Sequence, residues 1–230
     1  MSYGYYQLDT GRVAAIEGDC GFPPLSQALV EPNGLIAIGG DLTVARLLNA
    51  YQQGIFPWFS YDEPIMWWSP NPRMVLFPNE LNISTSLKKT LKKQAFEVRF
   101  NTAFKDVMTA CSNASRAGQL GTWITNEMIA AYCELHAQGY AICAESWLNG
   151  KLVGGCYGIK IERMFYGESM FHTATDASKV AFVHLVNHLI NQQVGMMDCQ
   201  MKTPLLASFG GREINREDFM QKLILFTKPA

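Results

Sequence analysis

A chain of 230 residues that is 48% hydrophobic has enough apolar material for one large domain or two small ones, and too much for a disordered polypeptide. Its net charge of -1 excludes a binder that draws nucleic acid through its overall field and leaves only a local basic face for that purpose. The six cysteines contain no C-x-x-C pair, which disfavours both a zinc site and a secreted disulfide scaffold, and no apolar run approaches the roughly 18 residues of a membrane span.

Met1 to Asp19 is polar with scattered tyrosines and lacks the basic start and apolar run of a signal peptide, so reduced thiols in a cytoplasmic protein are expected. From Phe22 the chain is dense in Pro and Gly, which predicts small turns and short strands. Asp41 then serves as N-cap for a helix over Leu42 to Gln53, with Leu42, Ala45, Leu47 and Leu48 as its apolar stripe and Gly54 as the stop. Pro57, Pro64, Pro70 and Pro72 forbid a helix through the stretch that holds Trp58, Trp67 and Trp68. These rings either bury a joint between two lobes or offer a platform on which a nucleotide base stacks.

Ser84 or Ser86 opens a helix through Lys93 on which Lys88, Lys89, Lys92 and Lys93 share a face, with no acid between them. Such a face is either ordinary solvated surface or a phosphate-backbone contact. A strand over Phe96 to Asn101 leads to helices over Ala103 to Ala114 and Asn126 to Gln138, joined by a segment that carries Trp123. Strands at 141–148, 152–161 and 164–170 follow as an antiparallel meander turning at Asn149-Gly150 and Glu162-Arg163. A helix from Ser178 to Gln193 and a short strand ending in Asp198 complete a crossover unit. Short helices at 203–209 and 216–223 close the chain.

The predicted fold class is α+β: a small irregular N-terminal lobe over 1–72, and over 73–230 a mixed sheet flanked by helices. Meander, helix and strand in that order resemble the acetyltransferase-like (GNAT) architecture, yet the Q/R-x-x-G-x-G/A loop that holds the pyrophosphate of acetyl-CoA is missing. Glu168 and Asp198 stand among apolar neighbours at the ends of the two crossover strands, where ligands of open α/β sheets gather. His184 and His188 have the four-residue spacing of metal ligands, but no H-E-x-x-H and no third ligand accompany them. The nucleophile elbow, the P-loop and the dinucleotide fingerprint are absent too.

Eight stretches occur in a telling order: E-P-N-G-L-I-A-I-G-G-D-L, Y-Q-x-G-I-F-P-W-F, M-W-W-S-P-N-P-R, G-T-W-I-T, G-G-C-Y-G, G-E-S-M-F, A-S-K and D-C-Q. Together they resemble the bacterial leucyl/phenylalanyl-tRNA–protein transferase family over about Phe22 to Phe219. The resemblance implies an enzyme that moves Leu or Phe, with Met a further donor, from aminoacyl-tRNA to the α-amine of acceptor proteins beginning with Lys or Arg. Such an addition marks the acceptor for degradation, and the reaction uses no cofactor, metal or membrane. It further implies that Trp58 and Trp123 stack the terminal adenosine of the tRNA, and that Cys156, Phe165, Met170 and Met197, beside Gly167 and Ser169, line the pocket for the apolar side chain. Asp198, Gln200 and Glu168 fall on the family's polar catalytic positions, and the lysine face becomes a candidate tRNA contact. The chain departs from the family at Thr203 and Leu205, where Asn and His are usual, and at Cys156, which is often Met.

An α-amine titrates near 7.7 to 8.0, so roughly one in ten is already neutral at pH 7. A powerful base is therefore unnecessary, and positioning with oxyanion stabilisation carries most of the rate. Two other readings remain at this stage: a CoA-dependent N-acetyltransferase, and a non-catalytic module that binds tRNA ends or protein N-termini.

Overall fold

The computed structural model describes residues 3–114 and 123–228, and two sheets organise them. Strands β1 (Gly4–Leu8) and β2 (Gly11–Ile16) form an antiparallel hairpin, and β3 (Leu35–Gly39) runs parallel to β2. After helix α1 (Val44–Gln52), the short strands β4 (Phe56–Pro57) and β5 (Met66–Trp68) complete a five-stranded sheet in the order β1-β2-β3-β5-β4. The short strands expected of the first lobe thus join into one sheet. The β1-β2 hairpin itself is not expected from the sequence, because β1 has no buried side chain and so shows no buried alternation.

The cap of α1 differs by two residues from the expected one. Thr43 caps it, its hydroxyl accepting from Arg46 N at 3.4 Å, while Asp41 accepts from the Thr43 amide and hydroxyl at 2.9 and 2.6 Å. Asp41 therefore shapes the turn that presents the cap.

The second part of the chain begins with β6 (Arg73–Leu76), α2 (Thr85–Lys93), β7 (Glu97–Phe100), α3 (Phe104–Ser112) and α4 (Asn126–Ala137). The meander β8 (Ala141–Leu148), β9 (Lys151–Ile161) and β10 (Met164–His172) comes next, then α5 (Ala177–Asn191), β11 (Met196–Asp198), α6 (Pro204–Ser208), β12 (Arg212–Ile214) and α7 (Arg216–Thr227). A seven-stranded mixed sheet results, ordered β12-β6-β11-β10-β9-β8-β7, with β11 parallel to β10 as a crossover requires. The expected meander, helix, parallel strand order is present. β12, a three-residue edge strand, is too short to leave a sequence signal.

Alternation along the strands sorts the core into two layers. Cys143, Tyr157, Tyr166 and Met196 face one way, into a cluster shared with α1, α3 and α4 that also takes in Ile36 and Trp67 of the first sheet. Their neighbours Ala144, Cys156, Phe165 and Met197 face the other way, against Val183, Val186 and Leu189 of α5. Each of the larger side chains among them, the Val, Leu, Phe and Met residues, contributes about 1.5–3 kcal/mol, so the sheet is held by burial on both faces.

Two features at the sheet's centre place the site. β11 pairs with β10 only at 164–166 with 196–198, the last pair being Tyr166 with Asp198, and beyond it β10 continues alone to His172. The strands part there and leave a cleft. On its other side β10 pairs with β9 through Gly167–Gly158 and then Ser169–Tyr157, so Glu168 is the unpaired residue of a β-bulge. A bulge re-aims the side chain it carries. It also needs room: a Cβ on Gly158 would lie 2.2 Å from the Tyr166 carbonyl oxygen, so no other residue fits there unless the strand moves.

Candidate active site

The cleft holds a cavity of about 430 Å³. Its interior is apolar, lined by Cys156 of β9, Phe165 and Met170 of β10, Met197 of β11, and Phe182 and Leu185 of α5. Burial pushes the thiols of Cys156 and Cys199 far up from their usual range, so both stay neutral and act as soft apolar lining. Trp58 and Trp123 stand at the wall together with Phe56 and Pro57. Gly167, Glu168, Ser169 and Gln200 supply the polar part, and Met201, Thr203, Leu205 and Leu206 form the remaining rim.

The three clustered tryptophans divide their tasks. Trp67 is fully buried and donates to the Gly39 carbonyl at 2.9 Å, as a core residue does. Trp68 donates to the Trp58 carbonyl at 2.7 Å and meets the Trp58 ring edge-on at 5.6 Å. Trp58 is thereby braced from behind while it lines the cavity.

Glu168 is half-buried and accepts a hydrogen bond from the Tyr51 hydroxyl at 2.6 Å and a longer one from Tyr132 at 3.4 Å; the two phenols also touch each other. Loss of hydration raises the carboxyl to about 7; the Tyr51 hydrogen bond opposes that rise and the charge of Asp198 adds to it. Burial, with the Glu168 charge second, pushes both phenols well above their ordinary value, so they remain donors.

Asp198 is fully buried and does not line the cavity. Its two oxygens accept from Arg73 Nε at 2.8 Å and Nη2 at 2.7 Å, and Oδ1 also accepts from the Gln200 amide at 3.0 Å. Gln200 reaches the wall from a left-handed backbone conformation, φ 56°. Of the two acids expected to face one cleft, Glu168 does so and Asp198 stands one residue layer behind it.

Lys88, Lys89, Lys92 and Lys93 are all exposed on α2, which Ser84 caps as expected, and none of them lines the cavity. His188 stacks on Phe100 at 4.7 Å and contacts Gln192 through Nε2, and among the described residues no three His, Cys, Asp or Glu side chains gather as a metal site. No disulfide joins the six cysteines, and no helix among the described residues is long and apolar enough to cross a membrane.

Sequence reasoning missed Tyr51, Tyr132 and Arg73. Tyr51 and Tyr132 look like core residues at helical spacing, and only their shared carboxylate gives them another role. Arg73 left one trace, a lone charge heading the apolar strand R-M-V-L.

Comparison with known proteins agrees along most of the chain. The family described as leucyl/phenylalanyl-tRNA protein transferase matches residues 75–224, and the family of its N-terminal domain matches residues 40–71. The leucyl/phenylalanyl-tRNA--protein transferase of Chromobacterium violaceum is 60% identical over 202 residues, covering 88% of this chain and 86% of its own. The protein of that name from Nitrosomonas europaea is 57% identical over 211 residues, covering 92% and 89%. Among solved structures, L-PGS from Bacillus licheniformis is similar over 84% of this chain and 72% of its own, at 9% identity and a TM-score of 0.42. A GCN5-related N-acetyltransferase-like protein from Streptococcus suis is similar over 78% and 67%, at 10% identity and a TM-score of 0.38.

Proposed function

The chain belongs to the leucyl/phenylalanyl-tRNA–protein transferase family, and on that premise we propose that the cavity between β10 and β11 is where the aminoacyl ester of a tRNA meets the N-terminal amine of an acceptor protein. The enzyme is an aminoacyltransferase: it moves Leu or Phe from aminoacyl-tRNA to protein N-termini that begin with Lys or Arg, which marks those proteins for degradation. We place the reaction in the cytoplasm, where charged tRNA and reduced thiols coexist.

The carrying observation is one cavity that joins an apolar interior, two tryptophans and a wall carrying Glu168 and Gln200. The donor side chain enters among Cys156, Phe165, Met170 and Met197, where flexible thioethers accept either Leu or Phe. Trp58 and Trp123 hold the terminal adenosine by stacking, and the lysines of α2 contact the phosphate backbone. The acceptor's charged N-terminus approaches Glu168.

With its carboxyl raised to about 7, Glu168 is matched to an α-amine that titrates near 7.7 to 8.0. It takes one proton from the ammonium, and the neutral nitrogen attacks the ester carbonyl. Gln200 orients that amine at the wall. When the tetrahedral species collapses, the C–O bond to the ribose breaks, the peptide C–N bond stays, and the ribose oxygen leaves with the proton that the new amide nitrogen gives up. Binding the reactants side by side supplies most of the acceleration.

The deciding experiment supplies purified protein with tRNA charged with labelled Leu or Phe and with peptides beginning with Arg, Lys or Ala. Label joined to the Arg and Lys peptides but not the Ala peptide is the expected result. No labelled peptide from either donor sinks the reading.

A further inference from the structure

We propose that Arg73 is a positioning residue for the transfer step, reaching the substrate only through Asp198 and Gln200; the proposal rests on the transferase reading of the cavity. Arg73 heads β6 and is almost completely buried. Its guanidinium lies against the Phe56 ring at 4.8 Å and the Phe219 ring at 4.7 Å, and its Nε and Nη2 fork onto both oxygens of Asp198. Neither member of the pair lines the cavity, whereas Gln200 does.

The link to Gln200 runs by two routes. Asp198 Oδ1 accepts from the Gln200 amide at 3.0 Å, and the Gln200 carbonyl accepts from Met74 N, the residue after Arg73, at 3.1 Å. Gln200 needs both holds because the backbone of a non-glycine residue at φ 56° is in a sparsely populated conformation that relaxes unless its surroundings fix it.

Stability alone does not account for a charged pair at this spot. Desolvating two ions commonly offsets their attraction, and apolar side chains of similar volume fill such a space equally well. What a guanidinium fork adds is direction: two parallel N–H···O bonds admit one carboxylate orientation, which an ammonium does not impose. The two phenyl rings fix the plane of the fork in turn. Asp198 is thus held so that its Oδ1 meets the Gln200 amide, and Gln200 is held at the wall where the amine arrives.

The test compares Arg73→Lys, Arg73→Ala and the apolar pair Arg73→Met/Asp198→Leu with the unaltered chain, measuring kcat and KM for charged tRNA per folded molecule. Arg73→Lys keeps the charge and loses the fork, so kcat is expected to fall about 100-fold while KM stays within about twofold. Arg73→Ala is expected to fall at least as far, and to regain about tenfold or more with methylguanidinium but not with methylammonium at the same concentration. Should the single variants not fold, the apolar pair decides: folded and about 100-fold slower supports the role, and folded with unaltered kcat overturns it. A loss carried by KM alone, or no distinction between the two added cations, also overturns it. An unaltered chain that makes no labelled peptide overturns the transferase reading and this proposal together, whereas normal turnover with a fully active Arg73→Lys overturns this proposal alone.

Discussion

The phenol of Tyr51 and the carboxylate of Glu168, 117 positions apart in the chain, meet in a 2.6 Å hydrogen bond that joins the first helix to the central β-bulge. The contact holds the acid toward its ionised form while the apolar surroundings push the other way, and the balance leaves the carboxyl at about 7. If Glu168 accepts the ammonium proton, kcat/KM rises with pH through about 7 on account of the enzyme, in addition to the acceptor's own titration. Glu168→Gln is expected to leave only the acceptor's limb and to lower kcat/KM by about 100-fold. Tyr51→Phe removes an interaction that lowers this pKa, so the enzyme's limb moves to higher pH. A Glu168→Gln profile that keeps the limb of the unaltered chain rules out the base.

The same group sets a stability prediction of definite sign. Its pKa is higher in the folded chain than the ordinary 4.5, so between pH 4.5 and about 7 the folded state binds more protons than the unfolded state. Stability therefore falls as pH rises through that window and levels off above it. At about 1.4 kcal/mol per unit the loss is at most about 3.5 kcal/mol, and exposure at the cavity wall lowers it. Glu168→Gln has no such slope, so denaturant midpoints of the two proteins, compared from pH 5 to 8, should diverge in favour of the variant as pH rises.

Trp58, braced by Trp68, is placed to stack a base. Removing the ring by Trp58→Ala should weaken binding of charged tRNA by about 1–3 kcal/mol, roughly 5- to 150-fold. Trp58→Phe keeps a π-face and should recover much of the loss. Both variants are read by titrating KM for charged tRNA with the peptide saturating; equal KM for Ala, Phe and Trp at this position would remove stacking from the account.

What the sequence made legible follows the physics of each signal. α5 and the meander show themselves because an apolar face and an alternating strand repeat at fixed periods, and their boundaries agree within a few residues. Cys156, Phe165, Met170 and Met197 were gathered through the family resemblance of their motifs rather than through any local pattern, and the structure brings them onto adjacent strands. Arg73, Tyr51 and Tyr132 escaped since their partners sit 125, 117 and 36 positions away, and no local pattern encodes a contact at that separation. Asp198 was legible as a polar residue at a strand end, but which way it turned depended on Arg73.

The donor pocket gives a specificity prediction at Cys156. Its side chain lines the apolar interior opposite Met170, with which it pairs across the β9-β10 ladder. Cys156→Met lengthens a lining side chain and takes volume from the apolar interior, which the larger donor needs more. Discrimination by a methylene or so in an apolar pocket runs to about 1–3 kcal/mol, so the Phe-to-Leu ratio of kcat/KM should drop by about tenfold. Competition between the two charged tRNAs measures that ratio directly, and a ratio that rises or stays put means Cys156 does not bound the donor.

The exposed lysines of α2 test how the tRNA body is held. Lys88, Lys89, Lys92 and Lys93 project from a helix whose Leu87 is buried and whose Thr90 bonds to Asp176 at 3.1 Å, so the helix is anchored at the start of α5. If these cations neutralise phosphates, binding weakens with salt as counterions reclaim the backbone, and each contact adds roughly 0.7–0.9 to the slope of log K against log salt. Replacing all four by Ala should flatten that slope by about 3 and weaken tRNA binding at low salt, while KM for the acceptor peptide and the melting temperature stay nearly constant, because surface charges away from a network count for little. Binding of uncharged tRNA across a salt series reads the slope without any turnover. A variant whose slope matches the unaltered chain returns these lysines to ordinary solvated surface.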